Sequence, residues 1–167
     1  MRVLCVAEKP SIAKSVAQIL SGGQYTTVSI RHSGSASQLC SDSGKRGTSS
    51  VFIKNYDFDY PQTRSQYTVT AVAGHLMNQD FSPEFKSWNG CDPFSLFEAP
   101  IEVTVMADKK DIEKNLQQEA RRAQTLMIWT DCDREGEHIG YEVTTVCRRA
   151  NARITVQRAR FSAIIAP

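Results

Sequence analysis

The sequence has no Cys-x-x-Cys pair and no long apolar run, and its first residues do not resemble a signal peptide. Its five cysteines are an odd number and form no Cys-x-x-Cys pair, which argues against a disulfide framework and a cysteine-based zinc site. No apolar run approaches the roughly 18 residues of a membrane span. The first residues turn polar too soon for a signal peptide. These absences predict a protein of a reducing compartment, nuclear or cytoplasmic, that does not enter a membrane.

A strong excess of charge of one sign is also missing. The chain has 20 basic and 18 acidic side chains, and its net charge is +2. The total charge therefore does not indicate a nucleic-acid-binding protein, and any contact with DNA has to come from a local patch. With 167 residues, of which 41% are hydrophobic, the chain has the size and composition of one globular domain. We expect residues 1–167 to form that single domain.

Apolar runs and helical periods alternate along the chain. The apolar run Val3–Ala7 predicts a strand that is covered on both faces, and the helix that begins near Pro10 is expected to end at Gly22-Gly23. Strands alternating with helices predict an α/β fold, with a mostly parallel sheet and helices on both faces. The other predicted elements are strands at 51–58, 67–73, 126–129 and 153–157, a helix at 110–123, and a helix that carries Ile139, Val143, Val146 and Cys147.

Two segments show neither the apolar run of a buried strand nor the apolar period of a helix. Residues 24–50 are rich in serine and glycine, and we predict that they form a mobile insertion loop. Residues 81–100 contain three prolines, and we predict irregular structure there. In this second segment Trp88, Phe94 and Phe97 are expected to act as packing anchors rather than as platforms for stacked bases.

Carboxylates follow two of the predicted strands. Glu8 comes directly after the first strand, and Asp131, Asp133, Glu135 and Glu137 follow a later one. Ligands of open parallel sheets bind beyond the carboxyl ends of the strands, so neighbouring strands would bring these groups together. A cluster of oxygen ligands without histidine or cysteine favours Mg²⁺. The alternative is an ordinary helix N-terminus, where acidic residues favour the helix dipole.

Four sequence blocks together resemble the Toprim domain of topoisomerase III, a type IA DNA topoisomerase, of the eukaryotic, fungal-like kind. They occur in the order found in that family, and they span almost the whole chain. The blocks are Ala7-Glu8-Lys9-Pro10-Ser11-Ile12-Ala13-Lys14, Ala73-Gly74-His75-Leu76, Trp129-Thr130-Asp131-Cys132-Asp133-Arg134-Glu135-Gly136-Glu137 and Arg158-Ala159-Arg160-Phe161-Ser162. The resemblance implies the Toprim fold, with its Rossmann-like sheet.

The resemblance also implies roles for individual residues. Catalytic roles fall to Glu8, Lys9 and Glu135. Lys9 would stabilise charge on a DNA phosphate, and Glu8 would supply a proton to the departing 3′-hydroxyl. The implied ligands of Mg²⁺, for which Mn²⁺ would substitute, are Glu8, Asp131, Asp133 and Glu135. The implied DNA-binding residues are Lys9, His75, Arg134, Arg158 and Arg160.

Family members cleave and rejoin single-stranded DNA through a 5′-phosphotyrosyl intermediate. Their tyrosine lies in a Tyr-Pro-Arg-Thr-like motif, which none of the five tyrosines of this chain occupies; Tyr60-Pro61 is predicted to be a turn. The catalytic tyrosine and the other topoisomerase domains are therefore expected outside this chain, and the chain alone is expected to be inactive. The resemblance further implies nuclear DNA relaxation or decatenation in recombination and repair, with a RecQ-type helicase and an OB-fold accessory subunit as partners.

Three other functions fit parts of the same pattern. A phosphotransferase of the haloacid-dehalogenase type also places Asp-x-Asp after a strand, although its motif continues with Gly-Thr rather than Glu-Gly-Glu. A Toprim-type nuclease or primase would share the acidic geometry but perform other chemistry. A non-catalytic interaction module would not need the carboxylates. Glu8-Lys9 and Gly74-His75-Leu76 favour the topoisomerase.

Overall fold

A computed structural model describes residues 1–30, 53–87 and 90–161 of the chain. These residues form a six-stranded sheet, a separate two-stranded sheet and three α-helices. The strands are β1 (Arg2–Ala7), β2 (Thr26–Ile30), β3 (Ile53–Tyr60), β4 (Ser65–Ala71), β5 (Met77–Phe81), β6 (Ile101–Val105), β7 (Thr125–Trp129) and β8 (Thr155–Arg158). The helices are α1 (Pro10–Ser21), α2 (Lys110–Arg122) and α3 (Arg134–Ala150).

The main sheet contains four mutually parallel strands, with antiparallel pairing at one side. Its strand order is β2-β3-β4-β1-β7-β8. Strands β4, β1, β7 and β8 run parallel to one another, whereas β3 pairs antiparallel with β2 on one side and with β4 on the other, so that β3 and β4 form a hairpin. The turn of that hairpin begins at Pro61, which confirms the predicted turn after Tyr60. The predicted α/β fold with a mostly parallel sheet is confirmed.

Alternate residues of the central strand β1 enter two separate cores. Leu4 and Val6 pack with α2 and α3 on one face of the sheet. Val3 and Cys5 pack with α1 and the aromatic side chains of β3 and β4 on the other. Because successive side chains of a strand point to opposite faces, a continuously apolar strand has to be covered on both sides. The predicted helices on both faces are confirmed.

Three strands were not predicted. Strand β2 lies at the start of the segment 24–50, where a loop was expected, and it pairs with β3. The remainder of that segment, residues 31–50, lies outside the described residues. Strands β5 and β6 pair with each other in a hairpin of their own. Most of their side chains are exposed. Strand β5 lacks the apolar alternation of a half-buried strand, whereas β6 alternates (Ile101-Glu102-Val103-Thr104-Val105) and carried a signal that was missed.

The segment 81–100 is irregular, as predicted, but its aromatic residues do not act as packing anchors. Its described part contains two short 3₁₀ helices, Pro83–Phe85 and Pro93–Phe97. Phe94 and Phe97 are 79% and 88% exposed. Residues three apart share a face of a 3₁₀ helix, and this face points away from the protein. Trp88 lies outside the described residues.

Within the described ranges, no helix combines the length and the hydrophobicity that crossing a membrane requires.

Candidate active site at the strand ends

Parallel pairing of β1 and β7 places Glu8 beside the acidic loop. Ala7 is in register with Trp129, and the Glu8 amide donates to the Trp129 carbonyl at 3.3 Å. Each strand ends there, so Glu8 and the segment that begins at Thr130 leave the sheet at the same edge. Glu8 is only 8% exposed. The predicted juxtaposition of the two acidic segments is confirmed.

Lys9 joins the two segments. Its Nζ lies 3.3 Å from Glu8 Oε1 and 3.3 Å from Asp131 Oδ2. The hydrogen bond to Asp131, and then the one to Glu8, raise the pKa of the Lys9 ammonium above its ordinary value. Lys9 thus remains a cation at neutral pH, held between two carboxylates at the edge of the sheet where the strands end.

Asp133 caps helix α3. Its Oδ1 accepts from the Gly136 amide at 2.7 Å, and its extended backbone precedes the first helical residue. Asp133 therefore acts as an ordinary helix cap, which was the alternative interpretation of the acidic residues. The close fit requires glycine at 136, because a Cβ there would lie 2.0 Å from the Asp131 carbonyl oxygen. Gly136 thus permits the close approach of α3 to the acidic loop.

The four predicted metal ligands are not drawn into one compact group. All four are described, yet no three of Glu8, Asp131, Asp133 and Glu135 have donor atoms within 4.8 Å of one another. Glu8 and Asp131 share Lys9, Asp133 caps the helix, and Glu135 lies 3.7 Å from His75. The oxygen-rich donor set still suits Mg²⁺, which takes one or two carboxylates and retains water.

His75 reaches the same edge from a strained loop after β4. Ala73 and Gly74 have positive φ angles of 55° and 88°, and the Gly74 amide donates to the Glu8 carbonyl at 3.3 Å. A positive φ is costly for a residue with a Cβ, so its neighbours must hold Ala73 in place. Lys109 does so in part, since its Nζ donates to the Ala73 carbonyl at 2.8 Å.

Glu142 on α3 holds the other end of this loop. The side chain is 3% exposed, its Oε2 accepts from the Leu76 amide at 2.8 Å, and its Oε1 lies 3.2 Å from His75 Nδ1. His75 Nε2 faces Glu135. His75 therefore lies between a buried and an exposed carboxylate, next to the acidic loop.

The Toprim domain family model matches residues 3–164. The chain belongs to the Toprim family. This membership confirms the resemblance drawn from the four sequence blocks, and it removes the support for the haloacid-dehalogenase alternative.

Several proteins named DNA topoisomerase 3 are similar to this Toprim chain. The DNA topoisomerase 3-alpha of Arabidopsis thaliana is 42% identical over 165 residues, which are 98% of this chain and 16% of that protein. The DNA topoisomerase 3 of Schizosaccharomyces pombe is 44% identical over 166 residues, 97% of this chain and 24% of that protein. The DNA topoisomerase 3-alpha of Homo sapiens is 42% identical over 165 residues, which are 98% of this chain and 15% of that protein. The chain thus spans less than a quarter of these relatives.

The arginines predicted to bind DNA differ in their surroundings. Arg158 is engaged within the Toprim domain: it donates to the Thr130 and Asp131 carbonyls, each at 2.8 Å, and to Glu137 at 3.0 Å. This arginine clamps the acidic loop to the end of β8. Arg134 and Arg160 are exposed, and their DNA-binding role stays a prediction.

Two residues of this region were missed from the sequence. His138 and Glu142 occupy the first half of α3, and His138 Nε2 lies 3.6 Å from Glu142 Oε1. Their spacing of four residues, which puts both side chains on one helix face, was a signal for a shared role. His75, the partner of Glu142, lies 67 residues earlier in the chain, so only the folded structure shows this pairing.

Proposed function

We propose that this Toprim domain forms part of the active centre of a type IA topoisomerase that cleaves and rejoins single-stranded DNA. The observation that carries the proposal is Lys9 held between Glu8 and Asp131 at the edge where two parallel strands end. The names of the similar proteins support this assignment.

Lys9 and Glu8 can each assist a transesterification. When a tyrosine oxygen attacks a phosphodiester, negative charge builds up on the non-bridging oxygens, and the departing 3′-oxygen needs a proton. The Lys9 ammonium supplies positive charge at a fixed position. Glu8, which neighbours Lys9 and is largely buried, is placed to carry the proton to the 3′-oxygen and to remove it again during rejoining.

His75 and the acidic loop complete the centre. His75 is held by Glu142 and presents its other ring nitrogen to the acidic loop, where a DNA phosphate would lie. The carboxylates of Glu8, Asp131, Asp133 and Glu135 are the candidate ligands of a divalent cation, with Mg²⁺ favoured by their oxygen donors. When bound, such an ion supplies further positive charge to the phosphate.

The wider role belongs to the same proposal. The attacking tyrosine would come from another part of the longer protein, since no tyrosine of this chain lies in a Tyr-Pro-Arg-Thr-like motif. We place the whole enzyme in the nucleus, in DNA relaxation or decatenation during recombination and repair. A RecQ-type helicase and an OB-fold subunit are the proposed partners.

The test is cleavage of a suicide oligonucleotide by the longer protein that carries this domain. Lys9→Ala should slow formation of the covalent adduct by about 10²–10³-fold, as expected for one missing electrostatic contact. Glu8→Gln should impair cleavage and rejoining because it cannot exchange the proton. Both variants should still bind single-stranded DNA, since most of the affinity comes from phosphate contacts spread over several domains.

Lys14→Ala provides a matched control, because Lys14 is an exposed lysine of α1 and should leave the rate unchanged. The 167-residue chain alone should form no adduct. An adduct with the chain alone would make one of its own tyrosines the nucleophile, and an unimpaired Lys9→Ala enzyme would remove Lys9 from the chemistry. Either result would refute the proposed roles.

A further inference from the structure

One buried carboxylate oxygen faces two imidazoles at the start of α3. Glu142 Oε1 lies 3.2 Å from His75 Nδ1 and 3.6 Å from His138 Nε2. Donor atoms of the three side chains all lie within 4.8 Å of one another, and no other group of three metal-ligating side chains in the described part of the chain does so. The two imidazole rings are 5.1 Å apart, centre to centre.

The two separations from Glu142 Oε1, 3.2 Å and 3.6 Å, are close to the ligand-to-ligand distance of a four-coordinate metal centre. Zinc binds imidazole nitrogen at about 2.0–2.1 Å and carboxylate oxygen at about 2.0–2.2 Å, so tetrahedral ligands lie about 3.3 Å from each other. Two histidines and one glutamate are a known zinc donor set that keeps a fourth position open. His138 and Glu142, four residues apart on one helix, form a chelating pair on a rigid element.

Hydrogen bonding around the group fits the same interpretation. Ligating histidines usually donate their second ring nitrogen to a carboxylate, which fixes the orientation of the ring. His75 Nε2 faces such a carboxylate, that of Glu135, at 3.7 Å, which is longer than a hydrogen bond. The second oxygen of Glu142 accepts from the backbone amide of Leu76 at 2.8 Å. The Glu142 end of the group is thus oriented by a backbone amide that would not touch the ion.

The nature of the ligands separates this group from the acidic edge beside it. Imidazole nitrogens suit zinc and its first-row neighbours, whereas carboxylate-only sites suit Mg²⁺. A buried carboxylate is also costly unless it is paired with hydrogen-bond donors or a cation, and Glu142 is 3% exposed. We propose that His75, His138 and Glu142 form a second metal site, selective for Zn²⁺ or a similar transition-metal ion, which fastens the His75 loop to α3.

Cobalt(II) titration of the 167-residue chain, followed by visible absorption, tests the proposal, because tetrahedral cobalt absorbs far more strongly than the hydrated ion. We expect one ion per chain, displaced by zinc. His138→Asn should weaken the binding by at least about 10–100-fold, the loss caused by removing even an outer hydrogen-bond partner of a metal ligand. His138 is half exposed, so this variant should fold.

Two controls locate the ion. His32→Asn removes the third histidine of the sequence and should leave binding unchanged. The double variant Asp131→Asn, Asp133→Asn should also retain the ion, because these carboxylates do not contribute to the group. Loss of binding in the double variant would place the ion at the acidic edge and overturn the proposal. Near-ultraviolet absorption typical of cobalt bound to thiolate would overturn it too, by placing the ion on a cysteine.

Thermal unfolding gives an independent measurement. Zinc that binds the folded chain raises its melting temperature by mass action. The increase should be present in the wild-type chain and in His32→Asn, and absent in His138→Asn. Absence of saturable binding, or equal stabilisation of the wild type and His138→Asn, would leave the three side chains as a hydrogen-bonded network and refute the site.

Discussion

Gly136 is the point at which α3 comes closest to the acidic loop. A Cβ at 136 would lie 2.0 Å from the Asp131 carbonyl oxygen, whereas a Cβ at 140 would meet an Ile128 methyl group at 3.2 Å. We predict that Gly136→Ala lowers the free energy of unfolding by about 3 kcal/mol, at the upper end of overpacking costs, since backbone must move. Gly140→Ala should change it by less than about 1 kcal/mol, because the helix propensity of alanine offsets a contact that a side chain can relieve. Urea unfolding measures both.

Comparing Gly136→Ala with Gly140→Ala tests how closely the start of α3 packs against the acidic loop. Both glycines are in α3 and both variants add one methyl group, so helix propensity is matched between them. Equal stabilities would show that the loop can move away from Gly136 at no cost. That outcome would contradict the close packing between the acidic loop and the start of α3.

Single residues of the site could be predicted to different extents. Glu8, Lys9 and Asp131 follow apolar strands directly, and the strand ends of a parallel sheet are known to converge, so their proximity was predictable. The capping bond of Asp133 to Gly136 was partly predictable from its place at a helix start. The contacts of Glu142 were not, because its partners at 75 and 76 come from a loop whose path depends on two positive φ angles.

At the scale of elements, the end of β8 supports the loop between β7 and α3. Arg158 donates to two carbonyls of that loop and pairs with Glu137. Lysine has three donors around one point and cannot reproduce the planar fork of arginine. We predict that Arg158→Lys lowers the free energy of unfolding by about 1–2 kcal/mol, because part-buried carbonyl acceptors lose their donors. Chemical denaturation measures this loss.

Arg160→Ala is the matched comparison, since Arg160 is exposed two residues further on. Its stability should equal that of the wild type. If Arg160 contacts a phosphate, the slope of log affinity against log salt for single-stranded DNA should fall by about 1 or slightly less. An Arg158→Lys chain of unchanged stability would contradict the clamp.

The elements that were predicted are those with a buried face. Strands β1 and β7 and helices α1, α2 and α3 all contribute to the cores, and burial imposes the periods from which they were predicted. Strand β2 is an edge strand whose residues 26–29 are exposed, and β6 is buried only at Val105. Backbone pairing holds these strands without demanding a buried apolar face, so the main signal in their sequences was the β-branched residues of Thr-Thr-Val-Ser-Ile and Ile-Glu-Val-Thr-Val, which was missed.

At the scale of the whole molecule, the described residues place one buried thiol on each face of the sheet. Cys5 lies in the core between the sheet and α1. Cys147, a residue of α3, lies in the core that α2 and α3 form with the other face of the sheet. Burial raises the pKa of each thiol from 9.0 to about 12. In the unfolded chain both thiols ionise near pH 9, whereas in the folded chain they stay protonated until about pH 12. Between these values the unfolded state binds fewer protons, so stability is complete below pH 9 and falls as the pH rises.

We therefore predict that the free energy of unfolding decreases between about pH 8 and about pH 10 by about 1.4 kcal/mol for each buried thiol. Urea unfolding at about pH 8 and pH 10 measures the decrease. Cys147→Ala should lose part of this dependence, since only Cys5 then remains, although its overall stability will be lower because of the cavity. Cys132→Ala should retain the dependence, because Cys132 is exposed and its thiol meets water in both states. Stability that does not change over this pH range, or a dependence that disappears with Cys132, would mean that the two cores admit water to their thiols and are not sealed on both faces of the sheet.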